Sequence, residues 1–175
     1  MGVRLPHWAP FLSKSLMIIN YRSANISDLE QLVQLRILMQ LEVNGLSKDK
    51  VTDDYVQKVR TYFQNTIETK KYFSAIATDG DKIVGTAGVC FYEKPPSIST
   101  GSGLVGYVTN VYTLPFYRKK GVGTTLMRKL NQIASELNAH KLHLGATLDG
   151  LSIYKAVGYE EPRFVNLEIK LVTPI

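Results

Sequence analysis

The sequence predicts a mixed α/β fold with one central β-sheet and helices on both of its faces. Amphipathic segments with the apolar period of helices alternate with short β-branched and aromatic segments typical of strands. Their order along the chain is β-α-α-β-β-β-α-β-α-β, which favours a mixed sheet between two helical layers. With 175 residues and 45% hydrophobic content, the chain is long enough for one domain with a sizeable core.

The N-terminal part predicts a strand followed by a helix. An apolar run at residues 18–21 favours a short first strand. Ser27 and Glu30 have the spacing of a capping box, in which the serine caps the helix and the glutamate bonds back to it. A helix is therefore expected from Ser27 to about Leu41, and Gly45 is expected to end it.

The next segment predicts a second helix and a hairpin. From Thr52 to about Lys70 the apolar residues recur at helical spacing, at Val56, Val59, Phe63 and Ile67. Residues 72–78 and 82–92 have strand composition, and an Asp-Gly-Asp turn at residues 79–81 joins them. These two strands should pair as an antiparallel hairpin.

The C-terminal half predicts the centre and the far side of the sheet. After a loop at residues 94–103, residues 104–114 form an apolar strand expected at the sheet centre. The helix that follows should bury a face made of Leu126, Leu130, Ile133 and Leu137. Residues 142–146 favour a short strand and residues 149–157 a short helix. Residues 164–172 predict the final strand, in which Phe164, Leu167, Ile169 and Leu171 are apolar.

The first 16 residues are expected to form a non-core extension. Two prolines interrupt their apolar stretch and no clear small-residue cleavage site follows, so a signal peptide is not expected. The alternative is an ordered arm that packs Trp8 and Phe11 on a neighbour. Met17 directly precedes the first strand, and a single domain is expected over residues 17–175. No apolar run approaches the roughly 20 residues of a membrane span.

Composition favours a reducing compartment and an anionic partner. The single cysteine, Cys90, cannot form an internal disulfide, so a cytoplasmic location is expected, and its apolar surroundings favour a packed core residue. The formal net charge of +6 suits a nucleic acid, a membrane surface or a phosphorylated ligand. The cations form no long block and no aromatics are interleaved with them in an RNA-binding pattern, so a compact phosphorylated ligand fits best. For the charges outside residues 118–123, a role in solubility alone is an equally good explanation.

A basic, glycine-containing loop carries the strongest functional signal. Residues 118–123, Arg-Lys-Lys-Gly-Val-Gly, stand between the central strand and the next helix. Gly121 and Gly123 leave backbone N–H groups uncovered, and the helix dipole adds roughly half a positive charge, which together suit a phosphate. The loop lacks the Gly-Lys-Ser/Thr ending of a Walker loop, and Leu126 replaces the third glycine of a dinucleotide fingerprint. The alternative is a helix start with solvent-facing charges.

In its context the loop resembles motif A of the GCN5-related N-acetyltransferase (GNAT) superfamily. That motif has a valine–X–proline step after a strand, then Arg/Gln-X-X-Gly-X-Gly/Ala at a helix start. Residues 113–115, Thr-Leu-Pro, stand at the step, and residues 118–123 fill the loop without a gap. Residues 152–159, Ser-Ile-Tyr-Lys-Ala-Val-Gly-Tyr, are similar to the family's Leu-Tyr-X-X-X-Gly-Phe ending. The two motifs occur in the family order, and the element order matches from about residue 17 onward.

The resemblance implies acetyl-CoA, or a related acyl-CoA, as co-substrate, and no metal. The pyrophosphate would lie on the backbone of Lys119 to Thr124, and the pantetheine arm would pair with residues 111–113 like an added strand. The central strand would carry a bulge and splay from its parallel neighbour at residues 141–146, which opens a wedge for the thioester. The implied cofactor-binding residues are Val111, Tyr112, Thr113, Arg118, Lys119, Lys120, Gly121, Val122, Gly123, Thr124 and Thr147. Thr147 stands where the family often has asparagine and offers a hydroxyl in its place.

The resemblance also implies a reaction, the direct attack of an amine on the thioester. The backbone N–H near Val111 would donate to the oxyanion, because the bulge would turn it toward the wedge. Tyr154 would be the general acid for the departing thiolate, since a phenol with a pKa of about 10 is protonated at neutral pH. The alternative role of Tyr154 is that of a core aromatic.

The general base and the acceptor stay open. On the central strand, Tyr107, Thr109 and Asn110 are not bases at neutral pH. The candidates elsewhere are Asp149, Glu93 and His143, with an ordered water chain as the alternative. A further alternative is that proximity and desolvation of the amine suffice without a dedicated base. The acceptor would be an amine of a small molecule or a peptide, and a homodimer is an option. The competing functions are a CoA-binding module of the same fold with weak or no transfer activity, and a basic nucleic-acid-binding domain.

Overall fold

The computed structural model describes residues 18–96, 98 and 101–171. The expected N-terminal extension, residues 1–16, lies outside the described residues. The strands are β1 (Ile19–Ser23), β2 (Tyr72–Asp79), β3 (Lys82–Glu93), β4 (Leu104–Thr113) and β5 (Lys141–His143). The helices are α1 (Leu29–Val43), α2 (Asp53–Glu68), α3 (Val122–Glu136) and α4 (Leu151–Lys155). This order confirms the predicted fold class and every predicted element except the last strand.

The five strands form one mixed sheet in the order β1-β2-β3-β4-β5. The first four pair antiparallel with their neighbours, and β5 lies parallel to β4. The β2–β3 pair is the predicted hairpin, and Gly80 in its turn has a φ of 56°, in the left-handed region that glycine enters without strain. Parallel strands need a crossover, and α3 provides it between β4 and β5.

The first helix begins with a different cap from the predicted one. The side chain of Asn25 accepts a hydrogen bond from the N–H of Ser27, and the carboxylate of Asp28 accepts one from the N–H of Asn25, both at 2.9 Å. This capping box opens a 3-10 turn (Ile26–Asp28) that leads into α1. The prediction that Ser27 and Glu30 form the box was therefore wrong, because a 3-10 turn precedes the α-helix.

Separate apolar cores cover the two faces of the sheet, as predicted. On one face, α1 and α2 bury residues against the sheet; this core comprises Leu32, Val33, Leu35, Met39, Phe63, Tyr72, Ile76, Ile83 and Tyr112. On the other face α3 does the same; this core comprises Ala75, Ala77, Val84, Ala87, Val89, Val108, Tyr117, Val122, Leu126, Met127 and Leu130. The short helix α4 joins the second core through Ile153 and Tyr154.

The buried face of α3 agrees with the predicted one in part. Leu126 and Leu130 are fully buried. Ile133 is half-buried, whereas Leu137 follows the last helical residue and is 37% exposed. The apolar spacing therefore located the helix correctly but extended its buried stripe one turn too far.

The predicted last strand does not form within residues 164–171, and Val172 lies outside the described residues. Five apolar side chains there are between 76% and 91% exposed; they are Phe164, Val165, Leu167, Ile169 and Leu171. Alternation creates a strand only where a neighbouring strand accepts the backbone hydrogen bonds. In the described part of the chain this segment has no such neighbour, and the prediction was wrong for that reason.

None of the described helices is long and apolar enough to cross a membrane.

Candidate functional site

A wedge opens between β4 and β5. Only Val105 to Tyr107 pair with β5, opposite Lys141 to His143. From Val108 to Thr113, β4 has no described strand on that side. The strand β5 was predicted to extend to Ala146, but its pairing ends at His143. The strand is therefore shorter than predicted, and the wedge opens directly after the Tyr107–His143 pair. The splay expected for the central strands is confirmed.

A β-bulge lies where the wedge opens. On β3, Gly88 is opposite Thr109, but Thr86 is already opposite Tyr112, so β4 carries one more residue than β3 across this interval. Asn110 has a φ of 53°, a left-handed conformation that asparagine tolerates better than most residues. Side chains three positions apart on a regular strand point to opposite faces of the sheet. Val108 and Val111 both pack on the α3 side, so the extra residue reverses which face each side chain after the bulge points to.

The loop after β4 presents a row of backbone N–H groups. Lys119 and Gly121 both have positive φ, 58° and 79°, on either side of Lys120, which curls the chain into a concave turn. Within the described residues, the N–H groups from Lys119 to Thr124 donate to no protein acceptor. No side chain caps α3 at Gly121. The turn thus has the unoccupied donors and the positive helix end that an anion requires.

The two glycines of this loop serve different purposes. A Cβ placed on Gly121 would meet nothing within 4 Å, so the space above it is open, and its positive φ is the feature that favours glycine. A Cβ on Gly123 would lie 3.1 Å from Cδ1 of Ile153 on α4. Gly123 therefore lets α4 approach the start of α3 closely, which places the second motif beside the first.

The three loop cations have different surroundings. Arg118 donates to the Glu42 carboxylate at 2.7 Å and to the Thr113 carbonyl at 2.8 Å, and its guanidinium lies 5.3 Å from the centre of the Tyr112 ring. Lys120 lies 4.1 Å from the centre of the Phe116 ring. Among the described residues no ion pair involves Lys119 or Lys120. Arg118 is thus held by the protein, whereas no described carboxylate pairs with either lysine.

Glu42 at the end of α1 connects the helical layer to the loop. Its carboxylate accepts from Arg118 and from the hydroxyl of Tyr112 at 3.0 Å. The hydrogen bond from Arg118 holds the pKa of Glu42 below its ordinary value, and the Tyr112 bond acts in the same direction. Because Glu42 also hydrogen-bonds the Tyr112 hydroxyl, the buried Tyr112 side chain faces α1 and only its backbone faces the wedge.

Tyr154 lies on α4 and lines a cavity next to β5. The side chain is half-buried, and burial raises its pKa above the ordinary value of 10. Its ring lies close to Gly150, where a Cβ would be 3.0 Å from Cε2 of Tyr154. The ring of Tyr159 packs against the ring of Tyr154, with ring centres 6.1 Å apart. The Tyr159 hydroxyl donates to Asn131 and not to Tyr154. Tyr154 is therefore a protonated hydroxyl at neutral pH.

Thr147 has a local role at the start of α4. Its hydroxyl oxygen accepts from the N–H of Gly150 at 3.3 Å, and its carbonyl accepts from the N–H groups of Gly150 and Leu151 at 3.1 Å. The exposed Thr147 closes the turn before α4. Its expected contact with the co-substrate stays a prediction.

Among the three base candidates, His143 shares a cavity with Tyr154. A cavity of about 420 Å³ lies between β5 and α4, and both side chains line it. The Nε2 of His143 is 2.8 Å from the Tyr92 hydroxyl, and the Tyr107 ring centre is 5.2 Å away. Burial lowers the pKa of His143, with smaller contributions from Lys141 and Lys94. The imidazole is therefore neutral at pH 7 and able to accept a proton.

The other two base candidates are exposed. Glu93 ends β3 and Asp149 precedes α4, and neither lines the cavity shared by His143 and Tyr154. Among the described residues, no group of His, Cys, Asp and Glu side chains could hold a metal ion.

Sequence reasoning missed the side chains that surround the bulge. Asn110 was set aside as a non-base, yet its buried amide bonds Arg36 of α1 and Tyr72 of β2. A signal was present, because asparagine is disfavoured in strands and here interrupts a β-branched and aromatic run. The partners, 74 and 38 positions away, could not be found from local pattern.

The chain matches the model of one protein family and is similar to many solved structures. The model of the acetyltransferase (GNAT) family matches residues 39–159. A predicted acetyltransferase from Clostridium acetobutylicum, whose crystal structure is with acetyl-CoA, is 31% identical; the match covers 86% of this chain and 96% of that one, with a TM-score of 0.74.

Two more distant structures share the fold. A GCN5-related N-acetyltransferase from Ralstonia eutropha JMP134 is 22% identical over 87% of this chain and 99% of that one, with a TM-score of 0.71. An aminoglycoside acetyltransferase from an uncultured soil metagenomic sample, in complex with sisomicin, is 16% identical over 87% and 96% of the two chains, with a TM-score of 0.67.

Proposed function

The chain belongs to the acetyltransferase (GNAT) family, and from that membership we propose that it transfers an acetyl group from acetyl-CoA to an amine of a small molecule or a peptide. The observation that carries this proposal is the adjacency of two features. A wedge with unpaired strand backbone lies directly before a loop of N–H groups that donate to no protein acceptor. An extended arm ending in a pyrophosphate has this shape and these hydrogen-bonding needs.

The residues present fit such a co-substrate. The N–H groups from Lys119 to Thr124 would bind the pyrophosphate, with the charges of Lys119 and Lys120 nearby. The backbone of Val111 to Thr113 would pair with the amides of the pantetheine arm. The Thr113 carbonyl oxygen already accepts a hydrogen bond from Arg118, and its second lone pair would accept one from an amide of the pantetheine arm. Open space above Gly121 leaves room for the phosphates.

The transfer step balances without a further reagent. The amine nitrogen forms a bond to the thioester carbon, the carbon–sulfur bond breaks, and the sulfur leaves with its electron pair. One amine proton passes to a base, and the thiolate takes a proton from an acid. Acetyl-CoA supplies the activated acyl group, and the protein supplies orientation, an oxyanion donor and proton transfer.

Val111 and Tyr154 are the proposed catalytic residues. The Val111 N–H belongs to the bulge and would stabilise the charge that develops on the carbonyl oxygen. The Tyr154 hydroxyl is protonated at neutral pH, as an ordinary phenol is, and burial raises its pKa further, so it would donate to the sulfur. Gly123 supports this placement, since it lets α4 pack closely on α3.

We propose His143 as the general base, ahead of Asp149 and Glu93. His143 occupies the last paired position of β5, at the base of the wedge, and lines the same cavity as Tyr154. Burial keeps the imidazole neutral at pH 7. The amine proton would reach it directly or through ordered water.

The first experiment tests co-substrate binding. Thermal shift with acetyl-CoA should raise Tm, and the rise should grow with concentration, because the ligand binds the folded state. A parallel titration with duplex DNA at several salt concentrations tests the nucleic-acid alternative. No shift at millimolar acetyl-CoA, or a larger salt-dependent shift with DNA, would reject the proposal.

The second experiment identifies the acceptor. A panel of amines is incubated with acetyl-CoA, and the free thiol is measured. Aminoglycosides belong in the panel because one structure of the same fold is an aminoglycoside acetyltransferase, and peptides with free amines and small polyamines test the other classes. Binding of acetyl-CoA with no thiol release from any amine would favour the alternative of a CoA-binding module, which the lack of a carboxylate on β4 keeps open.

A further inference from the structure

The bulge of β4 is held by side chains from two other elements. The Asn110 amide is buried, and both of its ends are bonded: Oδ1 accepts from Nη1 of Arg36 at 2.6 Å, and Nδ2 donates to the Tyr72 hydroxyl at 3.0 Å. Arg36 belongs to α1 and Tyr72 to β2, so the contacts reach the bulge from the helical layer and from across the sheet. Both bonds would be lost if Asn110 left its left-handed conformation.

Tyr72 reaches the bulge across an intervening strand. Its ring is buried, and its hydroxyl passes over Gly88 of β3, where a Cβ would lie 2.0 Å from that oxygen. No side chain can occupy such a space, so Gly88 is required for the Tyr72–Asn110 bond. Gly88 pairs with Thr109, the last residue of β4 before the bulge.

The hydroxyl of Tyr72 is neutral near neutral pH. Burial raises its pKa to about 12, and the hydrogen bond from Asn110 only partly offsets this. The Asn110–Tyr72 hydrogen bond is therefore not expected to depend on ionisation of the Tyr72 hydroxyl near neutral pH.

We propose that Asn110, Tyr72 and Arg36 are positioning residues that fix the bulge so that the N–H of Val111 is aimed into the wedge. None of the three touches the reacting atoms in this scheme. They act through the backbone of Val111, the residue directly after Asn110. This inference rests on the proposed function, in which that N–H is the oxyanion donor.

Tyr72→Phe removes the hydroxyl and retains the ring. We expect kcat to fall about tenfold or more, because a displaced oxyanion donor loses most of its effect. The KM for acetyl-CoA should stay within about twofold, since the loop from Lys119 to Thr124 is untouched. Gly88→Ala, which retains every hydroxyl but displaces the Tyr72 side chain, should produce the same split between kcat and KM.

Tyr62→Phe is the matched control. Tyr62 packs edge-on against Tyr72 with ring centres 6.3 Å apart, and its hydroxyl contacts Cys90 rather than Asn110. It removes a hydroxyl from the same aromatic cluster without touching the bulge, so kcat should stay within about twofold. An equal loss of kcat in Tyr62→Phe, or a rise in KM with kcat unchanged in Tyr72→Phe, would overturn the inference.

Backbone amide NMR provides a readout that needs no activity. In the free protein, Tyr72→Phe should shift the Val111 amide resonance and speed its hydrogen exchange, while the Thr124 amide in the loop stays unchanged. An unchanged Val111 amide would refute the positioning role even if kcat fell. If the wild-type protein fails to bind acetyl-CoA, the proposed function is rejected, but this comparison still decides whether the three residues hold the bulge.

Discussion

The guanidinium of Arg118 lies 2.7 Å from the carboxylate of Glu42, so the first cation of the loop is paired with the end of α1. Both side chains are partly exposed, at 38% and 47%. The pair therefore adds little to stability, less than about 1 kcal/mol. The pair matters more for the electrostatics of the loop, because the Glu42 carboxylate adds a negative charge beside the residues proposed to bind pyrophosphate.

Glu42→Gln should strengthen acetyl-CoA binding. Removing the carboxylate releases Arg118 and removes a negative charge near the phosphates, so the affinity should rise by about two- to fivefold. Isothermal titration at low and high salt measures the change, which should shrink at high salt. A loss of affinity would instead indicate that Glu42 holds Arg118 in a binding position.

Tyr154→Phe should lower kcat and leave the Kd of acetyl-CoA nearly unchanged. The hydroxyl is proposed to protonate the leaving sulfur, a contribution of about 10²-fold or more. Steady-state kinetics and titration separate the two quantities. The comparison variant is Tyr159→Phe, whose ring packs on Tyr154 but whose hydroxyl bonds Asn131. Equal kcat values for wild type and Tyr154→Phe would remove the acid role, provided that chemistry limits turnover.

Gly123→Glu should abolish acetyl-CoA binding. The new carboxylate would stand among the free N–H groups at the start of α3, and its side chain would also press on Ile153. Gly123→Gln introduces nearly the same volume without the charge. We expect a smaller loss in Gly123→Gln, and the difference between the two Kd values measures the electrostatic part. Identical losses would mean that steric crowding alone explains the effect.

The rate should depend on the protonation of His143. Burial lowers its pKa below 6.5, so the neutral base is present at pH 7 and is lost as the pH falls through that lowered pKa. The log of kcat/KM should therefore decline on the acid side with a pKa below 6.5. In His143→Gln this decline should disappear, leaving only the titration of the amine itself. A wild-type decline that persists unchanged in His143→Gln would exclude His143 as the base.

Asp28 should stabilise the fold above pH 4. Its buried carboxylate accepts two bonds of 2.7 Å from Arg22, and this lowers its pKa below the unfolded value of about 3.9. A depressed pKa contributes stability that is present above the unfolded pKa and is lost as the pH falls through the folded one. Asp28→Asn should therefore cost about 1–2 kcal/mol at pH 7.

Urea denaturation at pH 7 and below pH 4 tests this dependence. The difference between wild type and Asp28→Asn should shrink at the lower pH. Asp54→Asn is the control, because its pair with Lys58 is exposed and should contribute less than about 0.5 kcal/mol. A difference that does not change with pH would show that Asp28 acts through packing rather than charge.

Local pattern was enough to predict most of the fold. Helical and strand periods located four helices and five strands in the correct order, because amphipathic spacing reflects which face is buried. The last strand was mispredicted because a strand depends on a neighbour, and residues 164–171 have none among the described residues. The α1 cap was misplaced because a 3-10 turn and an α-helix share the same capping residue types.

The sequence by itself determined the position of the loop that we propose as the binding site of the co-substrate. A basic, glycine-containing segment between a strand and a helix is a local pattern typical of an anion site. The number of residues between this segment and the second motif, residues 152–159, supports the same interpretation. Only the tertiary structure decided how the surrounding residues are used. Arg118 pairs with Glu42, His143 shares a cavity with Tyr154, and the Asn110 bulge bonds Tyr72 and Arg36. These relationships join residues far apart in the chain, and only strand register and helix packing bring them together.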